Sequence, residues 1–193
     1  MENDHGEDVT SFLKEICDYL ITRIREQIHW AIDKNASISN LVQIILKAKR
    51  IHLYGMGRSG LMAKAFAMRL VHLGLDVVVL DETITYPLSR EDVLILISGS
   101  GMTSSVVRLA QIAKKIGAHL VAITSNENSA LAKISDTKII LPVKKDNLKG
   151  KYAPMGTLFE DSLLIFFDTL IAYLMDILGE TEASMRKRHA SLE

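Results

Sequence analysis

Apolar residues return every three or four positions through the first fifty residues, then switch to short unbroken runs. Phe12, Ile16, Leu20, Ile24 and Ile28 step by four, with Leu13 and Cys17 beside them, which predicts a long amphipathic helix over about 10–33. Leu41, Ile44 and Ile45 predict a shorter helix over about 39–48. Beyond it come IHLY (51–54), DVVVL (76–80), VLILI (93–97), LVAI (120–123) and TKIIL (137–141), short and rich in β-branched residues. Continuous apolarity over so few residues marks a strand buried on both faces, as in a parallel sheet. Helical patterns over 59–73, 103–116 and 129–134 separate several of these strands, and a last helix is predicted over about 158–178. Such alternation implies right-handed crossovers and a doubly wound α/β sheet.

A chain of 193 residues fills one core and is thin for two. With neither an internal repeat nor a low-complexity linker, 1–193 reads as one domain. It comprises a helical segment (1–50), an α/β core (51–178) and a tail (179–193). The stretch KKDNLKGK (144–151) reads as a polar, solvated loop, including Lys144, Lys145, Lys149 and Lys151.

Charge and composition narrow the function classes. Lys and Arg number 23, as do Asp and Glu, so the balance excludes a chain-wide electrostatic grip on nucleic acid. The single cysteine, Cys17, allows no intrachain disulfide, and the six histidines lack zinc-ligand spacing, so no metal is expected. The polar, acidic opening MENDHGEDVT carries no secretory signal. In the apolar run 163–178 and just before it, Asp161, Asp168 and Asp176 recur about every two turns, which fits a buried helix rather than a membrane span. A cytoplasmic protein is expected.

Two glycine-rich turns follow predicted strands, where ligands bind in open parallel sheets. The first, GMGRSG (55–60), matches the G-x-G-x-x-G dinucleotide fingerprint, and Asp81 and Glu82 stand where a ribose-binding acid belongs. Three features argue for a different anion. Arg58 and Ser59 place polar donors inside the motif. The second turn, SGSGMT (98–103), brings the hydroxyls of Ser98, Ser100 and Thr103 to a helix start, which suits a single phosphate. Too little chain remains for a separate substrate domain. A helix cap accounts for one of these hydroxyls and not for three.

SGSGMT resembles the phosphate-binding signature of SIS domains, the sugar isomerase fold. GMGRSG, FAMRLVHLG, ETITYP, LILISGSGMT, YAPMGTLFE and KRHASLE resemble, in order, segments of the 6-phospho-3-hexuloisomerase family. ETITYP departs from the family's more usual run of threonines before the proline. The resemblance implies a three-layer α/β/α sandwich on a five-stranded parallel sheet. It also implies interconversion of D-arabino-3-hexulose 6-phosphate and fructose 6-phosphate through an enediol, in the ribulose monophosphate route, with no cofactor and no metal. It assigns the phosphorylated ketohexose to Gly55, Arg58, Ser59, Ser98, Gly99, Ser100, Gly101 and Thr103. Catalysis is assigned to Glu160 and to His189, the latter reaching a neighbouring subunit's site. On spacing alone Thr157 and Glu160 form a T-x-x-E capping box, and His72 reads as a core residue. The helix over 61–73 is apolar on more than one face, which together with the family implies a homo-oligomer, a tetramer with sites at subunit boundaries. An isomerase of another phosphosugar, such as an aldose–ketose 5-phosphate pair, and a non-catalytic phosphosugar-sensing SIS module are the alternatives, with a nicotinamide oxidoreductase behind them.

Overall fold

The computed structural model describes residues 8–190. Its elements are α1 (Val9–Lys34), α2 (Ser37–Lys47), β1 (Ile51–Gly55), α3 (Arg58–His72), β2 (Val77–Val79), β3 (Val93–Ile97), α4 (Ser104–Ile116), β4 (His119–Thr124), α5 (Ala130–Ile134), β5 (Thr137–Ile140), α6 (Lys149–Tyr152), α7 (Thr157–Ile177) and α8 (Glu182–Arg186). The strands form one parallel sheet in the order β2-β1-β3-β4-β5.

Side chains alternate across that sheet. Val93, Ile95 and Ile97 of β3 point into the larger core with α1, α2, α3 and α7, whereas Leu94 and Leu96 meet Val106 and Ala110 of α4 and Leu131 of α5. Every residue of β3 is buried, which is why the run reads as unbroken apolarity. The architecture is therefore a three-layer α/β/α sandwich. Phe66 of α3 and Phe167 of α7 stack at 4.2 Å in the larger core. Truncating either to alanine would cost about 3–5 kcal/mol.

The order reverses between β1 and β3. The chain runs from β1 outward to β2 and then returns to β3 on β1's other side. Gly55 and Ile97 pair in register at the carboxyl ends of these two strands, so the turns that follow them leave side by side at the switch point. The glycines of GMGRSG serve this packing. A Cβ on Gly55 would lie 2.8 Å from the Ser59 carbonyl oxygen, one on Gly60 would lie 2.6 Å from the Gly55 carbonyl oxygen, and Gly57 turns with φ +59°. The motif thus lets α3 start directly against the end of β1.

Local differences from the sequence reading are short elements. Lys149–Tyr152, inside and just past the predicted loop, is the helical turn α6, and Glu182–Arg186 in the tail is α8, started by a Thr181–Ser184 capping box. β2 is only three residues long. Among the described residues no helix is long and apolar enough to cross a membrane.

Candidate active site

A cleft of about 350 Å³ opens at the carboxyl edge of the sheet, walled by the ends of β1, β3, β4 and β5 and by the start of α7. Its floor is the β3–α4 turn. Gly101 has φ +63°, and a Cβ there would lie 2.1 Å from Ser129 Oγ, so only glycine fits. The Gly101 N–H donates to Ser98 Oγ at 3.1 Å, and the Met102 N–H donates to Ser100 Oγ at 3.2 Å. Ser98 Oγ and Thr103 Oγ1 are hydrogen-bonded at 3.1 Å. Thr103 is the N-cap of α4 but makes no side-chain cap bond, so its hydroxyl belongs to the turn rather than to the helix start.

Three donors converge on the Gly99 carbonyl from β4: Thr124 Oγ1 at 3.1 Å, Ser125 Oγ at 2.7 Å and the Ser125 N–H at 3.1 Å. In a trans peptide the N–H points opposite to the C=O, so this pinning turns the Ser100 N–H away from β4. Hydroxyls, backbone N–H groups and the positive end of a 13-residue helix are thereby gathered in one place, an arrangement suited to an anion.

Glu160 stands on the α7 wall. The helix begins at Thr157, which places Glu160 in its fourth position, and the Thr157 hydroxyl donates to the Pro154 carbonyl at 2.7 Å. The capping box read from T-x-x-E therefore does not form, and Gly156 is the N-cap. The carboxylate folds back over Gly156, filling the volume a Cβ would need: that Cβ would lie 2.2 Å from Glu160 Oε2. Ser59 Oγ donates to Oε1 at 3.4 Å, and Arg58 Nε lies 3.8 Å from Oε2. Glu160 is only 9 % exposed, and Oε2 is buried without a hydrogen-bond partner. Burial pushes its carboxyl above the usual carboxylate range, against the Arg58 charge and the Ser59 hydroxyl, which favour the ionised form. A buried carboxyl with an unused oxygen on a cleft wall has the properties of a general base.

The fold thus brings together Ser59, Ser98, Gly99, Ser100, Thr103 and Glu160 on one cleft. Gly101 shapes the floor without lining it. Gly55 is beneath the site, where its missing Cβ admits α3. Arg58 is half exposed and reaches Glu160 and, at 3.1 Å, Asp161. His189 lies elsewhere: its ring is 5.2 Å from that of His72 at the far end of α3, and Arg188 beside it donates to the His72 carbonyl and to Glu180. A helix of this length rises about 20 Å, so within one chain His189 is remote from Ser59. Ser191, Leu192 and Glu193 of the closing motif lie outside the described residues. Asp81 and Glu82, placed for a ribose by the sequence, instead pair with Lys64 at 2.8 and 3.1 Å.

Sequence reasoning missed Ser125, Lys145 and Lys149, all of which line the cleft. Both lysines belong to the stretch read as a solvated loop; Lys145 is exposed, and Lys149 is half-buried on the cleft. No spacing signal distinguishes them from other loop lysines. Among the described residues, no three His, Cys, Asp or Glu side chains are grouped to hold a metal ion.

The SIS domain family matches residues 44–157. The chain is 44% identical to the 3-hexulose-6-phosphate isomerase of Methanocaldococcus jannaschii over 155 residues, 80% of this chain and 83% of the relative. It is 41% identical to the enzyme of that name from Bacillus subtilis over 163 residues, 82% of this chain and 88% of the relative. It also superposes, with TM-score 0.80 and 39% identity, on the crystal structure of a Methanococcus jannaschii protein whose function was inferred as 3-hexulose-6-phosphate isomerase. That match covers 90% of this chain and 98% of the other. A five-stranded parallel sheet with serine-rich turns at its switch point, together with these similarities, places the chain in the SIS domain family.

Proposed function

We propose that the chain is a sugar-phosphate isomerase that interconverts D-arabino-3-hexulose 6-phosphate and D-fructose 6-phosphate, in a ribulose monophosphate route of formaldehyde fixation or pentose phosphate supply. The observation that carries this reading is the pairing, on one cleft, of a neutral anion cradle at Ser98–Thr103 with the buried, unsatisfied Oε2 of Glu160. The 34–44% identity to relatives bearing the isomerase name supports the choice of substrate.

The chemistry moves one proton between C2 and C3 and one between O2 and O3. The phosphate sits on Ser98, Ser100, Thr103 and the first N–H groups of α4. Glu160 takes the proton from C2 of the 3-ketose as O3 gains a proton, an enediol forms across C2 and C3, and the same carboxyl returns the proton to C3 as the O2 hydroxyl gives up its own. The C2 carbonyl of fructose 6-phosphate results. Ser59 holds Oε1, and Oε2 is left without a hydrogen-bond partner. Gly99 keeps the floor low under Phe159, whose ring a Cβ would approach to 3.1 Å. No cofactor takes part. The 3-ketose cannot close an unstrained ring, because its C5 hydroxyl would form a four-membered one, so ring opening is a burden of the reverse direction.

The whole chain acts as one domain and assembles in the cytoplasm as a tetramer with sites at subunit boundaries. In support, α3 and α7 leave Leu61, Met68, Val71, Leu164 and Ile165 exposed, and His189 packs beside His72, away from its own cleft. The deciding assay measures turnover of 3-hexulose 6-phosphate beside ribulose 5-phosphate and arabinose 5-phosphate. Preferential turnover of the hexulose supports the reading. Turnover of a pentose phosphate alone, or of none of the three, rejects it.

A further inference from the structure

Lys145 and Lys149 are the only Lys or Arg residues lining the cleft among the described residues. They follow β5, the edge strand of the sheet, whereas Ser59 follows β1. Lys49, Lys64 and Lys114 pair with Glu91, Asp81 and Asp136. Lys149 instead donates to the Met155 carbonyl at 2.8 Å. That acceptor is neutral, no carboxylate among the described residues pairs with the ammonium, and it has two further N–H donors.

The segment carrying Lys149 is tied down from α1. Asp146 accepts from the Tyr19 hydroxyl at 2.9 Å and pairs with Arg23 at 2.6 Å. The same carboxylate caps the turn ahead of α6, accepting the N–H of Leu148 at 3.0 Å and of Lys149 at 2.9 Å. Tyr152, one turn on, donates to Glu15 at 2.6 Å, and its ring meets Tyr19 edge-on at 5.6 Å. Ordering a lysine-bearing segment costs up to about 2 kcal/mol per side chain. A solvated loop would have no reason to be held by three side chains of another helix.

We infer that Lys149 is the cation that meets the anionic phosphate group of the substrate, and that Tyr19, Arg23 and Asp146 position it. This rests on reading the cleft as a phosphosugar site. The Ser98–Thr103 floor offers hydroxyls and N–H groups, which carry no formal charge, and Glu160 on the α7 wall, as the carboxylate that acts as base, repels a phosphate dianion. A charge-assisted bond from Lys149 supplies what the floor lacks. Helix α1 thereby becomes part of the site machinery, although its own side chains do not line the cleft.

The test titrates inorganic phosphate and fructose 6-phosphate into the full-length protein by calorimetry, at low and high salt. It compares wild type with Lys149→Met, Lys149→Arg, Asp146→Asn and the Lys149→Met/Asp146→Asn pair, with melting curves to confirm folding. Lys149→Met should weaken both ligands about tenfold or more and flatten the salt dependence, raising KM more than it lowers kcat. Lys149→Arg should retain most of the affinity. Asp146→Asn should weaken both ligands less than Lys149→Met does, and should add nothing to it in the double variant. Unchanged affinity for both ligands in folded Lys149→Met overturns the inference, as does a loss confined to kcat, which would make Lys149 a brace for the Met155 turn. Additive losses in the double variant overturn the positioning role of Asp146. Wild-type turnover reports separately on the proposed reaction: inactivity toward 3-hexulose 6-phosphate, with Lys149-dependent phosphate binding intact, rejects the reaction and leaves the cation.

Discussion

Gly156→Ala tests how closely the site depends on the placement of one carboxylate. The new Cβ would lie 2.2 Å from Glu160 Oε2, 2.5 Å from Oε1 and 2.7 Å from Cδ. Ordinary contact needs more than 3 Å, so the carboxylate must retreat by roughly 1 Å, and a misplacement of that size is worth about 100-fold in rate. The backbone should tolerate the change, because Gly156 has φ −92° and ψ 2°, which alanine adopts. Its cost to stability is confined to a poorer N-cap, at most about 1 kcal/mol, or about 2–4 °C in Tm. The expected result is thus a kcat about 100-fold below wild type, with Tm nearly retained and phosphate affinity unchanged. Steady-state kinetics, a melting curve and a phosphate titration on the same preparation measure all three. A kcat within twofold of wild type would refute the reasoning, since the carboxylate cannot stay where it is once the Cβ is present.

Three further outcomes are expected. Removing the floor hydroxyls in Ser98→Ala/Thr103→Ala should raise KM for phosphosugars at least tenfold, since each charge-assisted bond is worth about 1.5–3 kcal/mol; an unchanged KM in folded protein would assign the turn another task. The acid limb of kcat/KM should lie above the usual range of a glutamate, because burial raises Glu160, and Arg58→Gln should move it higher by removing the charge that opposes burial; a pH profile showing no upward movement contradicts that account. Hybrid oligomers of Glu160→Gln chains and chains truncated before Lys187 should recover activity that neither parent has, and verified hybrids without recovery would exclude a shared His189.

The legible parts of the fold were those whose physics is periodic. β3 and β4 are covered on both faces and so read as unbroken apolar runs, and α1 repeats its apolar stripe from Phe12 to Ile28, through more than four turns. α6 and α8 are four and five residues long, too short for any period to register. At the site, Ser98, Ser100 and Thr103 were legible because three hydroxyls after a buried strand exceed what a cap requires. Glu160 was legible only through family resemblance, since its local pattern reads as a capping box. That box fails because the Pro154 carbonyl takes the Thr157 hydroxyl, a contact no spacing rule encodes. Lys149 was illegible because its orientation depends on Asp146 being held by Tyr19 and Arg23, more than 120 residues earlier in the chain.

Burial also makes Glu160 a cost to the fold at neutral pH. A carboxyl whose folded-state value is raised contributes most below the ordinary glutamate range and loses that contribution as pH rises through the folded value. Glu160→Gln should therefore melt no lower than wild type at neutral pH, and this makes it the right variant for the central claim, that Glu160 moves the proton. In the reverse reaction the proton leaves C3 of fructose 6-phosphate, so wild type in deuterated water should wash deuterium into C3, read directly by proton NMR. Glu160→Gln should bind fructose 6-phosphate yet exchange at least about 100-fold more slowly. Exchange at the wild-type rate in the glutamine variant would contradict the account and remove Glu160 from the chemistry.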